Sequence, residues 1–208
     1  MKFLNLNQGS EEWKEWRKSV VTATDAPIIV GASPYKTPHF LYMQKKGLIP
    51  PDMENDCMKR GSLLEPEARH FYESEKLCVM EPVVVIHDEH DFLAASLDGL
   101  SSDRSVILEI KCNGKANHNL AKKGEICELH KWQMQHQMMV CDVSRCDYLS
   151  FDGSKGVIIS YKRDEVMIKR LMKASFDFFI CLQTDTEPEL MPADLERLEA
   201  AKTWEQFL

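Results

Sequence analysis

The sequence predicts one α/β domain over residues 1–208, a mixed central β-sheet flanked by α-helices. Three observations carry this. The 208 residues are 44% hydrophobic and 28% charged with nine Gly and nine Pro, the profile of one ordinary globular domain rather than a disordered, collagenous or mini-protein chain. No repeat, low-complexity tract or Gly/Ser linker divides them, and the only Pro-rich break, Ile49-Pro50-Pro51-Asp52, is too short to separate domains. The apolar period is helical toward the N-terminus, switches to β-branched runs in the middle and becomes helical again.

Ser10 before Glu11 and Glu12 supplies an N-cap hydroxyl and a dipole-favoured acidic first turn, so a short helix carries Trp13, Trp16 and Arg17. Thr24-Asp25 cap Ala26 to Val30, with Gly31 as the stop. Thr37-Pro38 open a third helix that runs to about Lys46 with Gly47 behind it. From Lys59 to Glu75, Leu63, Leu64, Ala68, Phe71 and Tyr72 recur at helical spacing, while Glu65, Arg69 and Glu73 follow four apart on another stripe. Val79 to Ile86, Phe92 to Leu97 and Val106 to Ile110 then read as strands, the last two joined by a Ser101-Ser102-Asp103-Arg104 turn. Lys131 to Cys141 reads as helix, Asp147 to Phe151 and Val157 to Tyr161 as a hairpin, Asp164 to Leu182 as an amphipathic helix, and the tail from Pro192 as a charged, peripheral helix.

Bulk charge is a weak discriminator of function here. The net charge of −7 argues against a protein that coats nucleic acid by charge alone, yet a metal-dependent nuclease needs carboxylates at its cations and positive surface only along the strand's path. Seven cysteines at scattered spacing point to reduced thiols and a cytoplasmic protein. Neither a signal-peptide core nor a run of membrane-spanning length is present in the sequence, so no membrane partner is expected.

The chemistry concentrates in Ser96-Leu97-Asp98-Gly99 and Ile107-Leu108-Glu109-Ile110-Lys111. Side chains alternate on a strand, so Glu109 and Lys111 share one face. A hairpin returning from Asp98 brings its carboxylate beside Glu109, giving two hard oxygen ligands for Mg²⁺ with an ammonium next to them and the Ile110 carbonyl as a further ligand. Lys111 then orients or deprotonates a water for attack on phosphorus. A bare Glu-x-Lys on a strand is usually a surface salt pair; its context lifts this one above that reading.

That context is a series of blocks: Gly9-Ser10-Glu11-Glu12-Trp13 with Trp16-Arg17, Thr22-Ala23-Thr24-Asp25, Gly31-Ala32-Ser33-Pro34-Tyr35, Gly61 through Arg69, Ser96-Leu97-Asp98-Gly99, Glu109-Ile110-Lys111 and Gln133 through Met138. In this order they resemble the PD-(D/E)xK nucleases, and within them the lambda-exonuclease or YqaJ-type viral recombinase family. The resemblance implies that Asp98 and Glu109 bind metal and that Lys111 serves the attacking water. It implies that Glu65 approaches a second Mg²⁺ ion, with Mn²⁺ as a substitute, and that Gln135 holds the water or a phosphate oxygen. Arg17, Thr24 and Ser96 match the positions that hold a 5′-phosphate, a guanidinium fork reinforced by two hydroxyls.

The implied activity is Mg²⁺-dependent, ATP-independent 5′-to-3′ digestion of double-stranded DNA to 5′-mononucleotides, leaving a 3′ single strand. The implied partners are DNA ends, copies of the chain in a trimeric ring, and a single-strand annealing protein acting in phage-type recombination. Two rivals use the same residues: a structure-specific endonuclease, and a non-catalytic DNA-end binding module. Gln133, Gln135 and Gln137 stand about 200° apart in succession on a helix, so one of them faces the metals. Trp13 and Trp16, three apart on a short helix, read as core, and Lys115, Lys122 and Lys123 lie on a loop after the catalytic strand, where they could contact DNA backbone. His130 and His136 lack metal-ligand spacing, Cys141 and Cys146 lack an iron-sulfur pattern, and no Gly-rich phosphate loop occurs; zinc, cluster and ATP are not expected.

Overall fold

A computed structural model describes residues 1–53, 55–112 and 114–205. In chain order the elements are β1 (Lys2–Leu4), α1 (Glu11–Trp16), β2 (Val21–Thr22), α2 (Ala26–Ile29), α3 (Pro38–Lys45), α4 (Asp56–Lys76), β3 (Met80–Ile86), β4 (Leu93–Ser101), β5 (Ile107–Lys111), α5 (Lys115–Lys122), α6 (Glu128–Cys141), β6 (Arg145–Phe151), β7 (Gly156–Lys162), α7 (Glu165–Thr184) and α8 (Pro192–Glu205). The strands form one seven-stranded mixed sheet in the order β1-β3-β4-β5-β6-β7, with β2 added parallel to β4. β5 and β6 are parallel, joined through α5 and α6, and the remaining ladders are antiparallel. The expected mixed sheet flanked by helices is thus present.

The two faces of the sheet bury different sets. Leu108, Ile110, Leu149 and Phe151 pack with Ala68 and Tyr72 of α4. Ile107, Cys146 and Tyr148 belong to the larger core with Met134, Met138 and Cys141 of α6 and Leu171 and Phe178 of α7. The caps act as their residue types dictate: Ser10 Oγ accepts from the Trp13 amide, Thr37 Oγ1 from the Phe40 amide and Asp164 from the Val166 amide. Gly31 and Gly47 take the positive φ of 73° and 70° that ends a helix.

Several elements differ from the sequence expectation. β1 and β2 are short strands recruited by β3 and β4, so their own residues carry too little pattern to announce them. Residues 115–122 form α5, not a loop: His118 and Ala121 are buried while Lys115 and Lys122 stay exposed. β4 continues through Asp98 to Ser101, so Asp98 lies inside a strand, not at its end. Asp25 does not cap α2 with its side chain; its carboxylate turns back to Thr22. The tail is helical as expected, and Asp194 anchors it by accepting from Thr37 Oγ1 at 2.5 Å; residues 206–208 lie outside the described ones.

Candidate active site

The centre is made where two strands part. β4 and β5 pair only at Gly99↔Leu108 and Leu100↔Ile107. Beyond that point the Ile110 amide, which a continuing ladder would have used, donates to Asp98 Oδ2 at 2.7 Å. The gap therefore fixes Asp98 against β5 and opens one end of the sheet. Glu109 and Lys111 share a face as strand alternation requires, and the Lys111 ammonium pairs with Glu109 Oε1. Glu109 is 1% exposed, and its other oxygen accepts from Gln137 Nε2 of α6 at 2.5 Å.

Glu65 comes from α4. Its Oε1 accepts from Arg69 Nη2 at 2.5 Å, one helical turn on, while Arg69 Nε donates to the Asp98 carbonyl at 2.7 Å. Arg69 thus ties α4 to β4 beside the acids. Glu65, Asp98, Ile110 and Lys111 line one open cleft of ≈ 350 Å³. Burial, with the negative charges of Glu109 and Glu65, holds the Asp98 carboxyl well above the usual carboxylate range. Burial also raises Glu65 against the opposing pull of Arg69. Burial would lower Lys111, but Glu109 and Asp98 outweigh it and hold the ammonium above its ordinary range.

Gln135 is not brought to this cluster. It is fully buried, donates to the Lys162 carbonyl at 2.8 Å and accepts from the Asp164 amide at 2.9 Å. Its amide joins α6 to the β7–α7 junction, whereas Gln137 reaches the acids. Gln137 lies on the stripe of Met134, Met138 and Cys141 that packs into the core, and Gln135, two residues away on the helix, does not.

A second group assembles at one side. Arg17 Nη2 donates to Thr24 Oγ1 at 2.6 Å, and its guanidinium lies 4.3 Å from the centre of the Trp13 ring. Trp13 Nε1 in turn donates to Ser96 Oγ at 2.9 Å. Arg17, Thr24 and Ser96 are therefore brought together, with Trp13 as the bridge. Neither Trp13 nor Trp16 is buried, so the expectation of core tryptophans fails; Trp13 is held half-exposed under Arg17. Ser96 and Asp98 are alternate residues of β4, which places this group next to the acids. A larger cleft of ≈ 980 Å³ is lined by Trp13 on one side and by Glu65, Pro66 and Arg69 on the other.

The donor set suits a hard cation. Asp98 and Glu109 offer carboxylate oxygens, and a divalent ion would offset both the burial and the neighbouring negative charges that raise Asp98. Among the described residues no three His, Cys, Asp or Glu groups converge as a cage. No helix among the described residues is long and apolar enough to cross a membrane.

Comparison with known proteins is consistent with this geometry. The model of the YqaJ-like viral recombinase domain matches residues 12–144. The Bacillus subtilis (strain 168) protein YqaJ is 29% identical over 181 residues, 84% of this chain and 57% of that protein. A protein of Acanthamoeba polyphaga mimivirus is 30% identical over 162 residues, 71% of this chain and 30% of that protein. The chain therefore spans little more than half of the first relative and less than a third of the second. The alkaline exonuclease LHK-Exo from Laribacter hongkongensis is similar in structure, with a TM-score of 0.73 at 24% identity over 93% of this chain and all of that one. A phage-related exonuclease from Haemophilus somnus 129PT gives 0.56 at 14% identity, over 81% of this chain and 96% of that one. These likenesses establish the nuclease fold.

Proposed function

The chain belongs to the YqaJ-like viral recombinase domain family, and from that premise we propose that it is a Mg²⁺-dependent, ATP-independent exonuclease that digests double-stranded DNA from a 5′-phosphorylated end. The observation that carries the reading is the convergence of Asp98 and Lys111 in one cleft, with Glu109 buried behind it and paired with Lys111, beside a separate Arg17–Thr24–Ser96 group. Asp98 and Glu109 hold Mg²⁺, with the Ile110 carbonyl as a further oxygen. Bound there, the ion supplies an activated water and charge stabilisation at the scissile phosphate. Lys111 orients that water from the open side of Glu109. Gln137 and the Ile110 amide fix the angles of the two carboxylates, so neither has to reorganise as charge develops. A second ion near Glu65 requires the Glu65–Arg69 pair to open.

Arg17, Thr24 and Ser96 receive the terminal phosphate, which makes the end the point of engagement and gives 5′-to-3′ polarity with 5′-mononucleotide products. LHK-Exo is described in complex with dAMP, a mononucleotide of the kind such digestion releases. The family resemblance extends the proposal to a trimeric ring around the duplex and to delivery of the 3′ strand to a single-strand annealing protein during recombination.

The test is digestion of one linear duplex labelled at either end and carrying 5′-phosphate or 5′-hydroxyl, with Mg²⁺ or EDTA, beside a covalently closed circle. Mg²⁺-dependent loss of the 5′ label from the phosphorylated duplex, with the circle spared, is expected. Nicking of the circle assigns a structure-specific endonuclease instead, and inactivity on every substrate assigns a DNA-end binding module. Asp98→Ala and Lys111→Ala are each expected to remove hydrolysis, whereas Arg17→Ala chiefly erases the preference for phosphorylated ends. Equal loss on both ends in the Arg17 variant overturns the pocket.

A further inference from the structure

Lys45, the last residue of α3, carries a charge that the mechanism above does not use. Its side chain is 7% exposed and forms an ion pair of 2.8 Å with Asp25, also 7% exposed. The same ammonium donates to the carbonyls of Arg17 at 2.7 Å and Val20 at 2.8 Å. Those carbonyls bracket the turn between α1 and β2. Asp25 Oδ2 accepts from the Thr22 amide and from Thr22 Oγ1, both at 2.8 Å. Thr22 Oγ1 lies 3.1 Å from Thr24 Oγ1 and 3.4 Å from Arg17 Nη2. An unbroken run of contacts thus leads from α3 to the backbone of Arg17 on one side and to its hydroxyl partners on the other.

Burying an ammonium is costly unless its protons all find acceptors, and here three acceptors stand around it. The arrangement also leaves a charge imbalance. Lys45 and Arg17 bring two cations to one carboxylate, Asp25, which Lys45 and Arg17 hold below the usual range although its burial opposes this. The surplus positive charge sits beneath the hydroxyls of Thr22 and Thr24, where a terminal phosphate completes it.

We propose that Lys45 is a positioning residue for end recognition: it clamps the α1–β2 turn so that Arg17 and Thr24 stand at phosphate-binding spacing, and it adds positive charge beneath them. This rests on the assignment of Arg17, Thr24 and Ser96 to the 5′-phosphate. The experiment compares kcat/KM on 5′-phosphorylated and 5′-hydroxyl duplexes for the wild type, Arg17→Ala, Lys45→Met, Lys45→Arg and Thr22→Val. Lys45→Met is expected to shrink the phosphate preference about tenfold, mainly through KM, with the hydroxyl-end rate held within about twofold. Lys45→Arg restores part of the preference, which a purely structural role would not require. Thr22→Val cuts the link between Asp25 and Thr24 without leaving a buried ammonium unpaired, and shrinks the preference in the same direction. Should Lys45→Met fail to fold, Thr22→Val decides. A wild type indifferent to the end group overturns the pocket assignment and this proposal with it. A wild-type preference lost in Arg17→Ala but kept in folded Lys45→Met, or in Thr22→Val where that variant decides, overturns this proposal alone.

Discussion

Glu109 is gripped from both sides, by Lys111 at one oxygen and by Gln137 at the other, and the two grips differ in kind. Lys111 is a quarter exposed and faces the cleft, whereas Gln137 is fully buried and fixes the carboxylate from behind. Replacing Gln137 by Leu keeps the volume and frees the carboxylate to rotate. Gln137→Leu is therefore expected to lower the rate about 10- to 100-fold at saturating Mg²⁺, with a loss of stability beside it because the freed Glu109 oxygen is buried. Gln135→Leu differs in its effect on the rate. It strips partners from the Lys162 carbonyl and the Asp164 amide, costing about 2–4 kcal/mol in urea unfolding, with the rate per folded molecule kept. Equal rate losses in both variants would show that the two amides cannot be told apart by where they point.

At the scale of elements, the site depends on β4 and β5 separating after two paired positions, and Gly99 stands at that branch. A Cβ there would lie 2.8 Å from Met80 Cβ and 3.2 Å from Leu108 Cβ, closer than neighbouring strands allow. Gly99→Ala must push β3 or β5 aside, so it is expected to cost about 1–3 kcal/mol. Because Asp98 is the adjacent residue, the rate should fall as well; a folded, fully active Gly99→Ala would show that the branch tolerates movement. Much at this scale is legible in sequence. The shared face of Glu109 and Lys111 follows from strand alternation, and the caps at Ser10, Thr37 and Asp164 follow from side-chain chemistry. Legibility fails where a neighbour decides. β1 and β2 exist because β3 and β4 offer them edges. α5 is a short helix with two asparagines and no side-chain cap, held by the burial of His118 and Ala121. Which glutamine of α6 meets the acids depends on the phase of that helix against the sheet, and alternate polar residues do not reveal a phase. Asp25 looks like a cap until α3 places Lys45 beside it.

At the scale of the molecule, stability and activity are coupled because α6 both closes the core and carries Gln137. His136, next along that helix, is fully buried and sits 3.1 Å from the Ala94 carbonyl through Nε2, tying α6 to β4. Burial pushes its imidazole down to about 4 from an ordinary 6.5, with the Ala94 carbonyl only partly opposing. The sign follows from which state binds the proton. Between 6.5 and about 4 the unfolded chain protonates this histidine and the folded one does not, so stability falls as the pH is lowered through that window. The full difference approaches about 3 kcal/mol, at about 1.4 kcal/mol per unit. Above 6.5 the contribution is complete, and below about 4 both states are protonated, so nothing further is lost. His136→Gln keeps an amide donor for the Ala94 carbonyl but cannot titrate. Urea midpoints from pH 7.5 to 4.5 are therefore expected to fall less steeply in the variant than in the wild type, by an amount approaching about 3 kcal/mol, since other titrating groups act equally on both chains. Parallel curves would mean that His136 accepts its proton inside the fold, which would require α6 to lift from β4 and carry Gln137 away from Glu109.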